Sequence, residues 1–195
     1  MGRPTLSTLA VFLAVFALQT LAGVVGTGAG VFALALPLAD RPWTLLTSVY
    51  AHGSLAHLLA NALALAVLGP LVARVTTPFR FHVFFVFTGA LAGIAQVVVT
   101  LPFGGAAVLG ASGAIFALLG YLLVGNCASE RVLSWLPLGR RGRTVLFASI
   151  AALLTVATAA PGVALVAHFA GFCLGAVAGR GRILHVEERN AVSVR

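Results

Sequence analysis

Among the polar side chains in or beside the apolar stretches of this 195-residue chain, seven stand out: His52, His57, Asn61, His82, Gln96, Ser112 and His168. His57 and Asn61 are four apart, so on a helix they share one face. Ser112 lies in Gly110-Ala111-Ser112-Gly113. Its flanking glycines let another backbone approach and leave N–H groups open. A serine at a helix start sits near the positive end of the macrodipole, where an oxyanion is stabilised. A hydroxyl, an imidazole and an amide gathered at one depth would make a polar site within the apolar stretches. The plainer readings are an N-cap for Ser112, a position serine favours, and a satisfied core histidine for His168. His82 follows Arg80 at the edge of its stretch and reads as interfacial.

The elements that carry these residues belong in a membrane. The chain is 61% hydrophobic and 8% charged, with mean hydropathy +1.09. Soluble domains carry about 25% charged residues. A soluble enzyme, a nucleic-acid module and a secreted disulfide scaffold are thereby excluded. The net charge of +8 does not restore a nucleic-acid reading, because all twelve cations are Arg and nearly all fall in short gaps between apolar runs. Cys127 and Cys173 give no disulfide framework and read as small hydrophobes.

A bilayer core needs about 20 apolar residues per helix, within about 17 to 25. Six stretches approach this: Leu6 to Val25, Leu55 to Val75, Phe81 to Val99, Ala111 to Gly125, Val145 to Ala160 and Val163 to Gly179. Prolines and glycines punctuate the gaps between them, from Pro37 and Pro42 in the first to Pro161 and Gly162 in the last. With the N-terminus in the cytoplasm, eleven of the twelve arginines lie inside and only Arg41, beside Asp40, lies outside. The expected protein is an all-α, multi-pass, six-span membrane bundle over residues 1–180, with both termini cytoplasmic in the cell membrane and a polar cytoplasmic tail over 181–195. The first stretch also has features of a signal peptide, but it exceeds the usual apolar region of about 7 to 15 residues, so an uncleaved helix is expected.

In this topology the second, fourth and sixth spans run in the same direction. His57, Asn61, Ser112 and His168 then lie within roughly 12 Å of the outer ends of their helices at about 1.5 Å per residue. Small residues suggest how two of these spans meet. Gly113, Ala117 and Gly120 form a stripe on one, and Gly171, Gly175 and Gly179 on the other, the latter on the side of His168. Small-xxx-small faces permit close helix contact in lipid. Facing stripes would bring Ser112 and His168 within hydrogen-bond reach. All four carboxylates, Asp40, Glu130, Glu187 and Glu188, fall in loops or the tail. An intramembrane aspartyl protease, an H-E-x-x-H zinc protease and a carboxylate-based proton-coupled transporter each lack their residues here. A transporter or metal site built on His52 and His57 lacks a third ligand.

These residues resemble the rhomboid family of intramembrane serine proteases in its minimal, prokaryotic six-helix form, across about residues 43 to 179. His52-Gly53-Ser54-Leu55-Ala56-His57-Leu58-Leu59-Ala60-Asn61 resembles the family's H-x4-H-x3-N. Gly110-Ala111-Ser112-Gly113 resembles its G-x-S-G, and Ala167-His168-Phe169-Ala170-Gly171, continuing to Gly175, its A-H-x-x-G-x3-G. The resemblance implies Ser112 as nucleophile and His168 as general base. His57, Asn61 and the Ser112 backbone N–H would form an oxyanion hole. His52 would lie near the outer entrance and help organise the polar site, and Gln96 would hold water near the site. No metal or cofactor is implied, and the implied partners are the lipid bilayer and single-span membrane proteins as substrates. Two positions depart from the family pattern. Trp43 is followed by Thr44 where the family often has Trp-Arg, and Phe116 stands where it often has a tyrosine stacked on the base.

Overall fold

A computed structural model describes residues 2–26, 28–105, 107–125, 135, 139–159 and 162–186. Seven α-helices lie among them: α1 (Arg3–Val24), α2 (Thr44–Tyr50), α3 (Leu55–Ala73), α4 (Pro78–Thr100), α5 (Ser112–Gly125), α6 (Arg140–Ala157) and α7 (Leu165–Arg180). Six of them occupy the six apolar stretches, with ends shifted by a few residues. The seventh, α2, lies in the first gap and buries Thr44, Ser48, Val49 and Tyr50. Its seven residues are too few to register as a hydropathic span.

Local sequence sets the helix starts. The Ser54 side chain caps α3 by accepting the His57 N–H at 3.1 Å. Thr77 caps α4 by accepting the Arg80 N–H at 3.3 Å, and Pro78 follows in the first turn, where no N–H is needed. Helices α1, α3 and α4 are long and apolar enough to cross a bilayer. At 14 and 16 residues, α5 and α7 rise only about 21 and 24 Å, short of a hydrocarbon core of about 30 Å. They pack tightly on each other and on α4, and α3 also covers α5. Leu63, Val67, Phe87, Leu153 and Val177 are exposed, as lipid-facing side chains of a multi-pass membrane protein must be.

The core stacks Phe12, Leu65, Phe81, Phe85, Leu118 and Tyr121, all essentially inaccessible. Phe81 and Phe85 lie parallel, with ring centroids 6.2 Å apart. The tightest contact is between α5 and α7, where the two glycine stripes meet. A Cβ on Gly171 would strike the Gly113 carbonyl oxygen, one on Gly175 the Ala117 oxygen, and one on Gly120 the Phe172 oxygen. A Cβ on Gly179 would lie 2.6 Å from the Tyr121 oxygen. The backbones therefore touch directly, and no side chain larger than hydrogen fits at these four glycines.

Beyond α7 the chain turns back on the bundle. Leu184 is buried, the Val186 N–H donates to the Val75 carbonyl at 3.1 Å, and Tyr121 Oη lies 2.7 Å from His185 Nδ1. Cys173 is a free thiol, and Cys127 lies outside the described residues.

Candidate active site

Helices α3, α5 and α7 present their first turns around one cavity of about 780 Å³. Ser112, His168, His57, Asn61, Gln96 and Phe116 all line it. Segments separated by more than a hundred residues of chain are thus brought to one place.

Ser112 is the first residue of α5, so the first-turn N–H groups of that helix have no carbonyl partner within it. The segment leading to it is tied at two points. Leu34 and Val108 exchange backbone hydrogen bonds of 2.8 and 2.9 Å, and the Gly110 N–H donates to the Ser48 carbonyl at 2.8 Å. Gly110 has φ +132°, and a Cβ there would sit 2.7 Å from the His57 ring. Only glycine meets both conditions, and its absent side chain lets the imidazole of α3 lie against the chain entering α5. Gly113 is equally confined, since a Cβ would lie 2.8 Å from that of Ala92.

His168 is buried near the start of α7. The Phe116 ring stacks on it from one turn into α5, with centroids 4.4 Å apart and planes inclined by 15°. The departure from tyrosine therefore retains the stacking face. Gln96 reaches from α4 to the same helix end, its side-chain oxygen accepting the Ala167 N–H at 3.1 Å. Besides lining the cavity, this glutamine fixes the backbone immediately before His168. No hydrogen bond joins Ser112 and His168 directly; their helices touch at Gly113 and Gly171, each one or a few residues away.

Asn61 is buried and half-buried His57 lies one turn before it on α3. One proton of the Asn61 amide goes to the His57 carbonyl at 3.2 Å, leaving the other for the cavity. His52 differs from its expected place at the entrance. Only 2% exposed, it sits behind His57, ring centroids 5.2 Å apart, with Phe12 edge-on at 4.9 Å on its other side. It does not line the cavity. Burial, with the neighbouring His57 adding to it, lowers its pKa to about 4, so the ring is neutral at physiological pH. Its backbone N–H donates to Gln19 Oε1 at 2.9 Å, a bond that fastens α1 to the loop before α3. His82, read as interfacial, is half-buried between α4 and α1, with Ser7 Oγ at 2.9 Å from its Nε2.

Two contributors escaped the sequence reading. Gln19 is the one amide side chain in the first span, and that was signal enough to find it. Thr158, just beyond α6, places its hydroxyl 3.0 Å from His168 Nδ1. Nothing in its local sequence separates it from the threonines that commonly end helices. Among the described residues no three His, Cys, Asp or Glu side chains gather closely enough to hold a metal ion.

Residues 39–184 match the Rhomboid domain family. RHOMBOID-like protein 5 of Arabidopsis thaliana is 29% identical over 134 residues, which are 68% of this chain and 41% of that protein. Rhomboid protease GluP of Bacillus subtilis (strain 168) is 42% identical over 81 residues, or 42% of this chain and 15% of that protein. The chain thus matches less than half the length of either relative.

Proposed function

This chain belongs to the rhomboid family, and from that premise we propose that it is an intramembrane serine endopeptidase working through a Ser112–His168 dyad. The observation that carries the proposal is the shared cavity, lined at once by a hydroxyl on α5, an imidazole on α7 and polar groups on α3. The relative named as a rhomboid protease points the same way.

In the proposed reaction, Ser112 Oγ attacks the scissile carbonyl carbon while its proton passes to His168 Nε2. The carbonyl oxygen becomes an oxyanion, held by the Ser112 backbone N–H, the free amide proton of Asn61 and His57. As the intermediate collapses, the peptide C–N bond breaks and the His168 proton goes to the leaving amine. Water then attacks the acyl-enzyme, with His168 again taking and returning a proton. Bonds between nucleophile and base are often long before substrate binds, so the missing direct Ser112–His168 bond does not disqualify the pair. A soluble serine protease orients its histidine with a buried aspartate. In a low-dielectric bundle such a charge is costly, and a neutral dyad held by packing avoids that cost.

The proposed substrates are single-span membrane proteins. A transmembrane helix shields its backbone in its own hydrogen bonds, so cleavage requires a stretch that unwinds easily, rich in small or helix-breaking residues. Small residues such as Gly53, Ala60 and Ala64 line part of the cavity, which suits a narrow chain. The arginine distribution orients this cavity toward the extracytoplasmic face, with both termini in the cytoplasm and residues 181–195 as a cytoplasmic extension.

The test is cleavage of a single-span test substrate in liposomes, with labelling by a fluorophosphonate probe. Wild type should cleave and label. Ser112→Ala should do neither, a loss of about 10⁴-fold or more in turnover. Binding of the substrate without cleavage or labelling by the wild type would instead identify a helix-binding protein.

A further inference from the structure

A histidine can act as a base only through its unprotonated nitrogen, so something must decide which nitrogen that is. Around His168 the face of the ring is set by Phe116, but stacking is indifferent to the position of the proton. The edge of the ring is different. His168 Nδ1 lies 3.0 Å from Thr158 Oγ1. The same oxygen lies 3.1 Å from the Leu154 carbonyl and 3.0 Å from the Thr155 carbonyl, at the end of α6. A hydroxyl owns one proton and two lone pairs. Both carbonyls can only accept, so they draw the proton toward the helix end, and the oxygen meets the imidazole with a lone pair.

We propose that Thr158 is the positioning residue for His168, accepting its Nδ1–H and so keeping Nε2 unprotonated and turned to the nucleophile. This rests on the reading of His168 as base. The role is the one a carboxylate fills in a serine triad, supplied here by a neutral group. Among the described residues no carboxylate lines the cavity. The proton balance is simple. The serine proton arrives at Nε2 and leaves from Nε2, the Nδ1 proton stays in its bond to Thr158, and nothing is transferred to the threonine.

The test uses the full chain in detergent micelles, with nitrogen-15 histidine NMR to read the ring tautomer and cleavage to read its consequence. Wild type and Thr158→Ser should hold His168 as the Nδ1–H form, whereas Thr158→Val should shift it toward the Nε2–H form. Cleavage by Thr158→Val should lose about three- to tenfold in kcat, the worth of one neutral hydrogen bond, with KM unchanged, and Thr158→Ser should restore it. An Nε2–H ring in the wild type, an unchanged ring in Thr158→Val, or equal kcat losses in the serine and valine variants would overturn the proposal. The spectrum does not depend on turnover. A wild type that fails to cleave would therefore remove the protease reading, while the tautomer would still decide the role of Thr158.

Discussion

Two seams flank the proposed base. Along α5 and α7 the helices meet backbone to backbone, through glycines that admit no Cβ. Between α6 and α7 the contact is thin. Among the described residues, helix α6 packs substantially against α7 alone, and its buried side chains, Ala151 and Thr155, are few and small. The first seam fixes the distance between the proposed nucleophile and base; the second fixes only the edge of an imidazole. Rigidity is concentrated where a displacement of about 1 Å would cost about a hundredfold in rate.

Substitutions can break that contrast. The largest effect is expected on the far wall of the cavity, in His57→Ala and Asn61→Ala. Each should lower kcat by about 10²–10³-fold if it donates to the oxyanion; near wild-type turnover in both variants would remove α3 from the chemistry. Gly171→Ala comes next. Its new methyl group collides with the Gly113 carbonyl, so overpacking should cost about 1–3 kcal/mol, read as a lowered thermal midpoint in detergent. Phe116→Leu gives up the ring stack, worth about 0.5–1.5 kcal/mol, and should slow cleavage roughly two- to tenfold at an unchanged midpoint. Leu153→Ala, on the exposed face of α6, should move the midpoint by no more than about 0.5 kcal/mol equivalent. If it destabilised the protein as much as Gly171→Ala, the two seams would not differ as described.

Much of this was legible in the chain itself. Hydropathy located six helices because a bilayer imposes length and apolarity on whatever crosses it. The glycine stripes foretold the α5–α7 seam because three- and four-residue spacing leaves nothing else on that helix face. The aromatic character of Phe116 is plain in the sequence, and its ring stacks on His168. What stayed hidden depended on tertiary placement. The burial of His52 behind His57 follows from how α1 leans on the loop before α3, which the spacing of the H-x4-H motif cannot convey. Gln96 holds an amide of α7, a contact made across the bundle. Thr158 was invisible because its partner lies on another helix, and α2 because a seven-residue helix within a loop has no hydropathic signature.

The paired peptide groups of Leu34 and Val108 have a mechanical consequence. They clamp the polypeptide entering α5 to the segment that follows α1, and Ser48 adds a second clamp two residues further on. With that rim pinned twice, swinging the segment ahead of Ser112 outward would first have to break three backbone hydrogen bonds.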